Sequence, residues 1–127
     1  MRRKCLATWG LHIRIAEKVL FRNKDLDIES FLVGNIGPDC GVPNEDRSAF
    51  SPPTEISHWK TGINKSINPD EFVCEHLKKI FNDHKEKSFL LGYYSHLLTD
   101  VEFSHFLKSK KNTISIRRSW KKIRVLC

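Results

Sequence analysis

The sequence predicts an all-α domain, and three observations carry that prediction. Apolar residues recur at i, i+3, i+4 and i+7 in three separate stretches. Helix-start signals stand where those stretches begin: Thr8, the run Asn68-Pro69-Asp70-Glu71, and Asp83 with Glu86 three residues on. Outside the C-terminal tail there is no convincing alternation of apolar and polar residues of the kind a strand requires.

Taken in order, the first helix is expected over roughly 9–22, capped by Thr8. Leu11, Ile15, Ala16, Val19 and Leu20 recur there at helical spacing, and His12 sits on the same stripe. A short helix over about 28–35 carries Ile28, Phe31 and Leu32 and is expected to stop at Gly37-Pro38. "GPDCGVPNEDRSAFSPP" then reads as a loop of about fifteen residues, a length that in a compact domain marks function or disorder. "SINPDEFVCEHLKKIF" opens with Asn68 as cap and Pro69 at the first helical position. Phe72, Val73, Leu77, Ile80 and Phe81 form its apolar face. Asp83 and Glu86 resemble a capping box for a last helix, about 84–107. That stretch is apolar almost all round, so it is the expected buried centre of the fold.

The chain of 127 residues carries a net charge of +7, which taken whole invites a nucleic-acid or anionic-membrane partner. The charge is not evenly spread. Eight of the 22 Lys/Arg side chains but only one of the 15 acids fall in 101–127, which leaves 14 of each in residues 1–100. A neutral body argues against nucleic acid as the partner of the domain. Residues 1–107 are therefore expected to form the domain and 108–127 a basic tail. Laid on a helix from about 113, the tail places Ile116, Trp120 and Ile123 on one side, a pattern that can lie on an anionic membrane. So charged a segment buries little apolar surface against its ordering entropy, and the expectation is a disordered end. The four cysteines, Cys5, Cys40, Cys74 and Cys127, form no CxxC pair and are too sparse for a stapled mini-fold. With no signal-like apolar run and no membrane-length span, a reduced cytoplasmic protein is expected.

Within the buried helix, "HLLTD" puts His96 and Asp100 at i and i+4, side by side on one face. The spacing alone does not separate a metal-ligand pair from a helical His–Asp hydrogen bond. Company raises the metal reading. His12 lies on an apolar face where an imidazole needs a partner, Asp39 follows Gly-Pro at a helix end, and His58 sits between a Pro-Pro break and Trp59. His76 and His84 read as surface residues, and on a regular helix His105 faces away from the pair.

Four blocks, "TWGLHIRIAEKVL", "FLVGNIGPDCG", "SPPTEISHW" and "FLLGYYSHLLTD", together resemble the successive blocks of the zinc-dependent phospholipase C family, in that family's order. The similarity covers residues 8–103. It implies an all-helical fold around zinc ions that hydrolyse phosphodiesters of phospholipid head groups. By the resemblance, Asp39, His58, His96 and Asp100 correspond to the ligands of one Zn2+, and His12 with Asp100 to part of a second, so Asp100 would bridge two ions. Asp39, with Glu55 as the alternative, would orient the attacking water as a base. Two departures stand out. Secreted members begin the mature chain with a tryptophan whose amino terminus and carbonyl bind metal, whereas Trp9 lies inside this chain. The further ligand block is also missing, because no histidine follows His105 and no His-x-x-x-Glu pair occurs. A truncated or frame-shifted C-terminal side is the expectation drawn from that.

Three function classes follow from this sequence. The first is a zinc-dependent phosphodiester hydrolase, in which metal-activated water attacks a phospholipid head-group phosphodiester. The second is a non-catalytic domain whose zinc serves folding. The third is an adaptor, or truncated inactive homologue, whose tail binds a polyanion such as anionic lipid or nucleic acid.

Overall fold

The computed structural model describes residues 7–109. The tail beyond Ser109, with the helix expected from about 113, lies outside the described residues. Among the described residues there are five α-helices and one small hairpin: α1 (Trp9–Arg22), α2 (Ile28–Ile36), β1 (Val42–Pro43), β2 (Phe50–Ser51), α3 (Thr54–Ser57), α4 (Pro69–Phe72) and α5 (His84–Lys108). The all-α expectation holds. Among the described residues no helix is long and apolar enough to cross a membrane.

Local chemistry places most helix starts. Thr8 Oγ1 accepts the Leu11 N–H, Asp27 accepts the Ser30 N–H at 2.9 Å, and Asn68 accepts the Glu71 N–H at 3.3 Å. At Asp83 only half of the capping box forms. Its carboxylate accepts the Lys85 N–H at 2.8 Å, while Glu86 turns outward to Lys79 at 2.7 Å.

Three expectations are corrected. The chain does not stop being helical at Gly37-Pro38 but tightens into a 3-10 turn over Gly37–Asp39. Proline is tolerated there because a first-turn N–H has no partner to lose. The segment after it is not structureless: Val42 pairs with Ser51 and Pro43 with Phe50, in strands too short to show alternation. Finally, α4 widens after Phe72 into a π-helical turn, Val73–Leu77, that ends at Lys78. Ile80 therefore falls beyond the helix and is 93% exposed rather than on an apolar face. The wider turn also shifts register, so His76 is not a solvated residue. Its ring packs on Trp59 and Phe72, with centroids 5.1 and 4.9 Å away.

The core joins Ala16 and Val19 of α1, Phe31 of α2, Phe72 of α4, and Leu91, Tyr94, Leu97 and Leu98 of α5. Burying each large apolar side chain of this kind stabilises the fold by about 1.5–3 kcal/mol. Ile28 is exposed, because α2 turns its Phe31, Gly34 and Asn35 face onto α5. These two helices run in the same direction with their backbones in contact. The Asp27 N–H donates to Ser88 Oγ at 2.9 Å at one end, and the Asn35 carbonyl meets His96 at 2.7 Å at the other. Between them, a Cβ on Gly34 would run into the Phe89 carbonyl and one on Gly92 into the Phe31 carbonyl. Two glycines permit an approach that any side chain would block.

Candidate metal centre

The close approach of α2 and α5 has a chemical result. His96 and Asp100 both lie on α5 within its buried span and are closed off from water. His12 comes from the buried stripe of α1, and its ring stacks on that of His96 with centroids 3.8 Å apart and planes 7° from parallel. Asp39 is carried in by the 3-10 turn, and His58 by the C-terminal end of α3. Tyr93 holds that end in place by donating its hydroxyl to the Ser57 carbonyl.

All five residues singled out in the sequence converge. His58 Nε2 lies 3.0 Å from Asp39 Oδ1, 3.4 Å from His96 Nε2 and 3.6 Å from Asp100 Oδ2. His96 Nε2 lies 3.2 Å from Asp100 Oδ2 and 3.7 Å from Asp39 Oδ1. His12 Nε2 is 3.3 Å from Asp100 Oδ1. Two groups among the described residues could hold a metal ion: His12, Asp39 and His96, and His58, His96 and Asp100, with ligand atoms in each group within 4.8 Å of one another. Glu55 is exposed on the first turn of α3 and, among the described residues, no contact joins its side chain to the cluster. His84 is exposed, as expected, and His105, expected to face away from the pair, is exposed as well.

The fit of a cation follows from where the protons must sit. A backbone carbonyl only accepts, so His96 Nδ1, 2.7 Å from the Asn35 carbonyl, carries the hydrogen. Ser57 Oγ lies 3.0 Å from His58 Nδ1 and orients that ring, with the Thr54 carbonyl 3.5 Å from the same oxygen. In the neutral His96 ring, Nε2 then presents a lone pair. It faces His58 Nε2 and the oxygens of Asp39 and Asp100. Asp100 Oδ2 is buried without a hydrogen bond. Burial alone would raise the Asp100 carboxyl, but the neighbouring His12 and His96 outweigh it and hold it well below the usual carboxylate range. A carboxylate out of water needs a positive charge beside it, which an imidazolium or a metal ion can supply. Imidazole nitrogen with carboxylate oxygen is a donor set that suits zinc. The residues fit the metal.

Two contributors were not legible as functional. Ser57 and the Asn35 carbonyl set the ring orientations of His58 and His96, the outer support that metal-ligating histidines generally have. A serine beside a candidate histidine was the only sequence signal for the first. The second is a main-chain atom, which no side chain announces. Trp9, half exposed at the start of α1, takes no part.

A family model described as zinc dependent phospholipase C matches residues 11–124. No curated protein and no solved structure matches the chain.

Proposed function

The chain belongs to the zinc-dependent phospholipase C family, and from that premise we propose that it is a zinc-dependent phosphodiester hydrolase acting on phospholipid head groups. The observation that carries the reading is the convergence of His58 Nε2, His96 Nε2 and the unpartnered Asp100 Oδ2, met by Asp39 Oδ1, at 3.0–3.7 Å from one another. Asp39, His58, His96 and Asp100 would hold zinc, with His12 beside Asp100. Bound there, zinc supplies a Lewis acid that brings the pKa of water towards neutrality and offsets negative charge on phosphoryl oxygens.

The protein's own groups have separable tasks. His96 and Asp100 are fixed by α5 and cannot move without unpacking the core. Asp39 is the one member with access to solvent, its side chain 17% exposed against 3% or less for the others. Substrate and water must therefore arrive past Asp39. Its Oδ1 faces the histidines, so the carboxylate stands where it can orient the attacking water and take its proton. Burial of the remaining donors keeps bulk water from screening them, which strengthens each interaction with a charged phosphodiester.

A second reading has its own observation. His12, His58, His96 and Asp100 are almost completely buried and tie α1, α3 and α5 together, as a metal that serves folding would require. One experiment separates the two. The zinc-loaded protein is assayed against a chromogenic choline phosphodiester, then treated with chelator and reloaded. A hydrolase loses turnover and regains it with zinc. Loss of the fold in chelator with no turnover in any state would leave the structural reading standing and the enzyme reading excluded. Contact of the basic tail with an anionic membrane remains part of the proposal, and it concerns residues outside those described.

A further inference from the structure

Granting the reading that the cluster binds zinc, we infer that it is built for one ion rather than two, with Asp100 a terminal ligand and His12 a positioning residue that holds Asp100. The two candidate groups share His96. That ring has one nitrogen to offer, because Nδ1 is committed to the Asn35 carbonyl at 2.7 Å. One lone pair binds one ion, so the two groups describe a single position seen from two sides.

Asp100 divides its oxygens the same way. Oδ2 has no hydrogen bond and faces His96 and His58. Oδ1 already accepts the main-chain N–H of Ala7 at 3.0 Å, from a residue 93 positions earlier, and stands 3.3 Å from His12 Nε2. A peptide N–H can only donate, since its lone pair is delocalised into the carbonyl. Where a second ion would need a ligand, the chain has placed a proton donor. Among the described residues, that side offers an ion only His12 and a partly satisfied oxygen, fewer than the three protein ligands that zinc sites ordinarily have.

The other side is complete. Asp39 Oδ1, His58 Nε2, His96 Nε2 and Asp100 Oδ2 have five recorded mutual distances, from 3.0 to 3.7 Å. Donors placed about 2.0–2.2 Å from one centre at tetrahedral angles lie about 3.3–3.6 Å apart. His12 then acts through Asp100. Both ring nitrogens of His12 are buried without a hydrogen bond, and Asp100 Oδ1, 3.3 Å from Nε2, is the acceptor within reach of an N–H there; that contact would direct Oδ1 away from the ion and leave Oδ2 to bind.

The test is elemental analysis of zinc per chain after dialysis, on the full chain and on the variants His12→Ala, His12→Gln and His96→Ala, with titration of zinc affinity. The expected result is one zinc in the full chain and in both His12 variants, and none in His96→Ala. His12→Ala should weaken affinity roughly tenfold, as loss of an outer-shell partner does. His12→Gln, which keeps an N–H donor, should recover much of that loss, a rescue that a merely space-filling role would not give. Two zinc ions in the full chain, falling to one in His12→Ala, would overturn the inference and leave zinc binding intact. No zinc in the full chain would overturn both.

Discussion

The helix pair α2–α5 and the segment from Asp39 to His58 both deliver charged or imidazole groups to one cluster, yet they are built in opposite ways. In the pair, backbones touch at Gly34 and Gly92, and the residues around His96 and Asp100 are buried on nearly all sides. Between Cys40 and Ile56 almost every residue faces solvent, and only Ser57 and His58 at its far end are buried. One region is a frame whose geometry the core imposes. The other is an exposed excursion pinned at both ends, by the 3-10 turn before it and by Tyr93 and Ser57 after it. The contrast teaches that half of the cluster is preorganised by packing. The other half depends more on what the cluster itself holds together.

The largest expected effect comes from adding one methyl group to each region. Gly92→Ala places a Cβ against the Phe31 backbone, which no side-chain rotation can relieve, and should cost about 3 kcal/mol. Gly41→Ala meets the Phe50 side chain at 3.2 Å and the Pro52 carbonyl oxygen at an ordinary 3.5 Å, and should cost less than about 1 kcal/mol. Denaturant midpoints measure both, and equal losses would mean that the helix pair is not the frame.

Next in size is the charge at the centre. Asp100→Asn keeps the shape but removes the anion, and zinc affinity should fall by about a hundredfold, or close to 3 kcal/mol. His76→Ala removes a ring that packs on Trp59 and Phe72, at a stability cost of about 1 kcal/mol, with zinc content unchanged. Equal zinc content in the two variants, measured at one pH, would break the division between cluster and packing.

The smallest effect sharpens the comparison most directly. Chelator should loosen the excursion before the frame. Tryptic cleavage at the exposed Arg47 should quicken by about tenfold, equivalent to about 1.4 kcal/mol of local stability. Cleavage at Lys87, at the edge of the buried span of α5, should hardly change. Uniform acceleration at both positions would show one cooperative unit instead of two.

The helices were largely legible because their signals are local. Thr8, Asn68 and Pro69 act on N–H groups within one turn, and the stripes of α1 and α5 follow from 3.6-residue periodicity. Where a local rule misled, a distant contact had decided. Glu86 left its cap for Lys79. For His76, an extra residue in a π turn moved the side chain from the expected polar side onto an aromatic layer.

The same division runs through the cluster. Sequence by itself determined which groups with metal-binding chemistry exist and that His96 and Asp100 share a helical face, because residue type and i,i+4 spacing are written in the chain. Only the tertiary structure decided that His12, Asp39 and His58 meet that pair, and which lone pairs face inward. Those outcomes rest on the Asn35 carbonyl and the Ala7 N–H. Every residue carries such main-chain atoms whatever its side chain, so their role is set by where the fold brings them and not by their letter in the sequence.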